Sequence, residues 1–126
     1  MSVKEKFELK LGAATREAFG KALVELGKGD SNVVVCDADL SKSTFTHLFA
    51  KEFPERFFSC GIAEANMVSI GAGLASSGKI AFVASFSAFV LNKGFEQLRV
   101  NVAYPQVPLK AMLLLEPLSA TLQSLE

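Results

Sequence analysis

Apolar positions along the chain alternate between two periods, and that alternation predicts most of its elements. Ala18, Ala22, Leu23 and Leu26 recur at helical spacing. With Thr15 as a candidate N-cap and Gly27 and Gly29 as stop signals, they predict a helix over residues 15–28, after a polar lead-in of residues 1–12. Asn32-Val33-Val34-Val35-Cys36 is a continuous β-branched run, the pattern of a strand buried on both faces. A polar loop, Asp37 to Thr44, then leads to a short helix over 45–53 that Pro54 stops. Residues 57–60 predict a second strand, 63–76 a helix rich in Ala, Ser and Gly, and 80–86 a third strand. A long helix over 88–104 and a fourth strand over 109–115 complete the series. Gly71 and Gly73 inside the 63–76 helix each weaken it by about 1 kcal/mol relative to Ala. Their presence implies that something presses close against that helix.

Uniformly apolar strands alternating with helices predict a three-layer α/β/α fold around a mostly parallel sheet. Ligands in such folds gather at the carboxyl ends of the strands. Three clusters are predicted there: Asp37 and Asp39 with Ser43, Gly61 with Glu64, and Phe86 with Phe89. Three carboxylates, a hydroxyl and two aromatic rings on one edge suit a flat, nitrogen-bearing ring.

Composition narrows the class. The chain has 126 residues, 50% of them hydrophobic, with 13 Lys and Arg against 13 Asp and Glu. That is enough for one core, and zero net charge argues against a nucleic-acid or anionic membrane partner. No apolar run approaches the roughly 20 residues of a spanning helix, and Met1 to Lys6 leads into no signal-peptide core, so a cytoplasmic protein is expected. Cys36 and Cys60 read as small buried hydrophobes, and one His without a Cys/His cluster predicts no intrinsic metal site.

Each cluster also has a plainer explanation. Glu64 suits the first turn of any helix, where it faces the positive end of the macrodipole. Phe86 and Phe89 suit a core, Asp37 and Asp39 suit loop amides, and His47 suits packing. Arg16, by contrast, opposes the dipole of its own helix.

Taken together, four segments resemble the pyrimidine-binding domain of the transketolase family of thiamine-diphosphate enzymes. They are Ala14-Thr15-Arg16, Asp37-Ala38-Asp39-Leu40 with Ser43-Thr44, Gly61-Ile62-Ala63-Glu64-Ala65-Asn66-Met67, and Ser85-Phe86-Ser87-Ala88-Phe89. The resemblance covers residues 10–110 and is most similar to the separately encoded carboxyl-terminal section of split transketolases. 1-Deoxyxylulose-5-phosphate synthase shares much of the pattern.

The resemblance implies a thiamine-diphosphate-binding fold and a role for each matching residue. Glu64 matches the glutamate that hydrogen-bonds N1′ of the aminopyrimidine and helps move the proton of thiazolium C2. Phe86 and Phe89 match residues that enclose the pyrimidine. Asp39 and Ile62 match other cofactor-lining positions, Asp39 near the thiazolium. Arg16 and Ser43 match positions for the phosphate of a sugar phosphate, work suited to a planar bidentate donor and a hydroxyl. The family's Gly-Asp-Gly…Asn run, which holds the diphosphate through Mg2+ or Ca2+, is absent from the sequence. The resemblance therefore implies a separate diphosphate-binding section as partner and sugar-phosphate substrates, while the small-residue helix 63–76 and the apolar run 111–115, left partly uncovered, predict a homodimer through that helix.

After Lys110 the sequence departs from the family. Residues 111–126 lack the expected substrate-contacting histidines, with Leu122 where one belongs. A single pyrimidine-binding domain over 1–126, truncated or altered after about residue 110, is expected. A related thiamine-diphosphate synthase or decarboxylase subunit, and a catalytically inert folded fragment, remain open at this level.

Overall fold

The computed structural model of the chain describes residue 12 and residues 14–115. The polar lead-in and the tail from residue 116 onward lie outside the described residues. Helix α1 (Thr15–Gly29) leads into strand β1 (Val33–Asp37), followed by the short helices α2 (Ser41–Thr44) and α3 (His47–Glu52). A 3-10 turn (Pro54–Arg56) enters β2 (Phe57–Ser59), then α4 (Glu64–Ser76) and β3 (Ile80–Phe86). Helices α5 (Ser87–Lys93) and α6 (Phe95–Gln97), a π-helical turn (Leu98–Ala103) and β4 (Lys110–Leu114) follow.

The four strands form one sheet in the order β2-β1-β3-β4, every pair parallel. Val35 pairs with both Phe57 and Phe82, and Ala84 with Met112. Successive strand residues point to opposite faces, so β1, buried along its whole length, feeds two cores. Val33 and Val35 meet Leu23 of α1 and Phe49 of α3 on one face. Cys36 and Val83 meet Met67 and Val68 of α4 on the other. This is the expected three-layer α/β fold.

Several local expectations are corrected. Thr15 is the first helical residue rather than the cap, and Ala14 precedes it without a side-chain capping bond. The buried stripe of α1 is Gly20, Leu23 and Gly27, while Leu26 is half exposed. The helix turns that way because glycines admit aromatic neighbours. A Cβ on Gly27 would stand 2.6 Å from Phe49 and 2.7 Å from Phe53. Arg56 then fastens the end of α1. Its guanidinium donates to the carbonyls of Gly27 and Asp30, each at 3.0 Å, and lies 3.9 Å from the centre of the Phe53 ring.

The helix expected over 45–53 begins only at His47, because Phe45, whose φ of 63° places it in the left-handed region, ends the separate short helix α2. The helix expected over 88–104 is broken at Gly94, and its second half widens into a π-turn, with Tyr104 N–H donating to Arg99 O at 2.9 Å. Gly94 sits where the chain crosses the first turn of α4. A Cβ there would meet Val90 O at 3.0 Å, Val68 Cγ2 at 3.3 Å and Glu64 O at 3.5 Å. Only one of the two α4 glycines faces a close neighbour. A Cβ on Gly71 would lie 2.5 Å from Val83 Cγ1, whereas none lies within 4 Å of one on Gly73. The small-residue face of α4 is thus covered by the chain's own β3. Exposed apolar side chains instead include Leu91, Phe95, Val100 and Tyr104 on the segment after β3.

Candidate functional site at the carboxyl edge of the sheet

Each strand ends at the same edge of the sheet, and the residues singled out from the sequence follow those ends. Gly61, at φ 65°, turns the chain out of β2 and into α4, whose first residue is Glu64. Glu64 is only 2% exposed. A carboxylate so shielded needs a partner, and among the described residues its ion-pair partner is Lys93, with Nζ 3.6 Å from Oε2. Lys93 ends α5, and its ammonium also lies 4.9 Å from the centre of the Phe89 ring. Phe89 in turn meets Phe86 edge to face, with ring centres 5.6 Å apart and planes at 68°. Glu64, Lys93, Phe89 and Phe86 therefore form one continuous cluster.

Beside Phe86 is Ser85, fully buried, with no hydrogen-bond partner for Oγ. By strand alternation it shares the α4 face of β3 with Ala81 and Val83, at the end where α4 begins. A buried hydroxyl without a partner costs about 1–3 kcal/mol in a finished core, so it is more at home beside a ligand site than within packing.

The loop after β1 is built on Asp37. One carboxylate oxygen accepts the Leu40 N–H at 2.6 Å, and the other accepts the hydroxyls of Thr44 at 2.7 Å and Thr46 at 2.9 Å. Of the two reasons the sequence offered for an acid at this position, loop bonding is the one met by these contacts. Asp39 follows at φ 63°, exposed to solvent. It lines a hollow of about 180 Å³ with Leu40, Ser41, Lys42 and Ser43. The Cys60 N–H donates to Asp37 O at 2.9 Å, which ties this loop to the segment entering Gly61.

The structure brings some expected residues together and leaves others apart. Glu64, Phe86 and Phe89 belong to the one cluster, and Ile62, 76% exposed, precedes it as a projecting side chain. Arg16 is exposed and lies 5.6 Å from the centre of the ring of Phe45, the residue that ends α2. Among the described residues neither Arg16 nor Ser43 makes a hydrogen bond or ion pair with the Glu64 cluster. Larger hollows of about 530 and 460 Å³ lie by Tyr104 and by Lys51 and include none of these residues.

Cys36 is buried as expected, and burial pushes its thiol up to about 12. Cys60 is only partly buried, its thiol raised for the same reason, and both cysteines are free. Lys93 and Thr46 had not been singled out, and Ser85 and Thr44 stood in the matching segments without a role. Lys93 stands in the last turn of a helix, where a lysine is ordinary, and no spacing rule marks it.

The cluster suits one half of a cofactor such as thiamine diphosphate. A shielded carboxylate can pair with a ring nitrogen, two phenyl rings can enclose an aromatic heterocycle, and Ser85 Oγ has a hydrogen bond to give. Among the described residues no group of three or more His, Cys, Asp or Glu side chains could hold a metal ion.

The architecture is that of a parallel α/β domain with a shielded acid and paired aromatic rings at the carboxyl edge of its sheet. Residues 12–124 match the family described as transketolase, pyrimidine binding domain. A Methanocaldococcus jannaschii protein assigned as a transketolase C-terminal section is 55% identical over 95 residues, covering 75% of this chain and 30% of that protein. Human transketolase is 43% identical over 88 residues, covering 69% and 14% respectively. A solved split-gene transketolase, an inactive beta4 tetramer, superposes with a TM-score of 0.73 at 53% identity over 80% of this chain and 34% of its own. The chain belongs to the transketolase pyrimidine-binding domain family. It spans about a third or less of the length of each of these relatives.

Proposed function

We propose that this chain is the pyrimidine-binding part of a thiamine-diphosphate-dependent transketolase, which transfers two-carbon ketol units between sugar phosphates. It would work with a separate diphosphate-binding section. The observation behind this reading is Glu64, 2% exposed in the first turn of α4 and joined through Lys93 to the Phe86 and Phe89 pair.

In this reading the bound cofactor supplies the carbon–carbon chemistry, and the protein holds and tunes it. Glu64 holds N1′ of the pyrimidine and shares its proton, a general acid/base role favoured where water is excluded. Phe86 and Phe89 enclose the ring and keep that contact dry. Ile62 lines the cofactor, and Asp39 offsets positive charge near the thiazolium. Arg16 from the start of α1 and Ser43 from α2 bind substrate phosphate. Mg2+ or Ca2+ would be held with the diphosphate by the partner section. The chain would form one domain and act in the cytoplasm as a homodimer, without a nucleic-acid or membrane partner. Among the described residues no helix is long and apolar enough to cross a membrane.

A second reading has the chain as a catalytically inert folded fragment, with or without a partner section, and it is favoured by the inactive beta4 tetramer of the solved relative. Calorimetric titration of thiamine diphosphate with Mg2+ separates the two. The expected result is tight binding and ketol transfer only when the chain is mixed with a diphosphate-binding section from the same source. Absence of binding in the mixture would overturn the proposal.

A further inference from the structure

Glu64 already has a partner, and that partner lies against two of the features the site offers. The Lys93 ammonium stands 3.6 Å from Glu64 Oε2 and 4.9 Å from the centre of the Phe89 ring. A carboxylate to accept a hydrogen bond and an aromatic face to lie against are the two things a pyrimidine would use here. One place cannot hold both an ammonium and a ring.

We propose that Lys93 competes with the cofactor's pyrimidine for the Glu64 carboxylate, and so sets the affinity and entry rate of this site. The inference rests on the reading of Glu64 given above and adds the group that must move aside. Three features fit a competitor rather than a permanent partner. The contact is asymmetric: the Lys93 side chain is 53% exposed and the Glu64 side chain 2%. At 3.6 Å it is an ion pair but longer than a charge-assisted hydrogen bond of about 2.7–2.9 Å, so releasing it costs little. The lysine stem is flexible, and its ammonium can return to water from a half-exposed position.

The backbone explains why this lysine reaches the acid. Lys93 is followed by Gly94, where a Cβ would stand 3.5 Å from Glu64 O and 3.3 Å from Val68 Cγ2, so the end of α5 lies directly over the start of α4. The acid two residues beyond Gly94 is engaged elsewhere, since Glu96 pairs with Arg99 at 2.7 Å. Without Lys93 the shielded Glu64 carboxylate would stand unpaired until a ligand reached it.

The test uses the chain reconstituted with its diphosphate-binding section. The dissociation constant of thiamine diphosphate with Mg2+ is measured by calorimetry, and its association rate by stopped flow. Lys93→Gln should bind about fivefold more tightly, the equivalent of about 1 kcal/mol for a half-exposed ion pair, with the gain appearing as faster association. Lys93→Arg, which keeps a cation in place, should stay within about twofold of the unaltered protein. Equal or weaker binding by Lys93→Gln overturns this inference and leaves the proposed function standing. No binding by the unaltered complex overturns both. Loss of helical circular dichroism in both Lys93→Gln and Lys93→Met would make Lys93 a structural residue and would also overturn it.

Discussion

Two glycines in α4 offer a test with its own control. Replacing either with alanine removes the cost of glycine in a helix, about 1 kcal/mol. At Gly73 nothing lies within 4 Å of the new methyl, so Gly73→Ala should stabilise the fold by about 0.5–1 kcal/mol. At Gly71 the methyl would stand 2.5 Å from Val83 Cγ1 and 3.0 Å from Leu109 Cδ1. Val83 cannot yield easily, because its χ1 is stiff and it is fully buried between Cys36, Met67 and Val68. Overpacking of this kind costs about 1–3 kcal/mol, so Gly71→Ala should lose about 1 kcal/mol net. The two variants, two residues apart on one helix, should differ by about 2 kcal/mol and in opposite directions. Urea unfolding at constant m value measures both. Pushing α4 off the sheet also moves Glu64, so Gly71→Ala alone should weaken cofactor binding in the reconstituted complex. Two variants of the same sign and size would refute the claim that Gly71 seats the helix.

The remaining predictions concern other parts of the same edge. Asp37→Ala removes three hydrogen bonds to a buried charged acceptor and strands Thr44 and Thr46. It should cost about 3 kcal/mol in urea unfolding, and a loss under about 1 kcal/mol would show that the loop does not depend on it. Iodoacetamide should modify partly exposed Cys60 before Cys36. The unfolded Cys36 thiol ionises near its ordinary value of 9.0, while the folded thiol keeps its proton to about 12. Between those values the native state binds more protons, so stability falls as pH rises, by at most about 1.4 kcal/mol per pH unit. Cys36→Ala should remove that part of the alkaline loss, and an unchanged alkaline slope would contradict it.

Strands β1 and β3 and helix α4 lay within about a residue of where the hydrophobic pattern put them, because their burial is written in side chains that pattern counts. What failed was whatever depends on absent side chains. Gly20 and Gly27 are invisible to a hydrophobic stripe, so the buried face of α1 was misplaced. Gly94 and Phe45 break helices for reasons of tertiary contact and left-handed backbone that no periodicity reports. Glu64, Phe86 and Phe89 were picked out by their place at the ends of predicted strands, and the family resemblance then gave them roles. Phe86 and Phe89 meet directly, and Lys93, whose position at a helix end gave no sign of its reach, links them to Glu64. Cys36 and Cys60 were read as two small buried hydrophobes, and strand pairing sets residue 36 opposite 58, two residues from the partly exposed Cys60.

The central claim is that Glu64 activates the cofactor, and turnover of Glu64→Gln in the reconstituted enzyme tests it most directly. Glutamine keeps the shape of the side chain and a hydrogen-bonding oxygen but cannot take up or return a proton. The account predicts ketol transfer at least about 100-fold slower, with circular dichroism and assembly unchanged. Turnover within a few fold of the unaltered enzyme would contradict it.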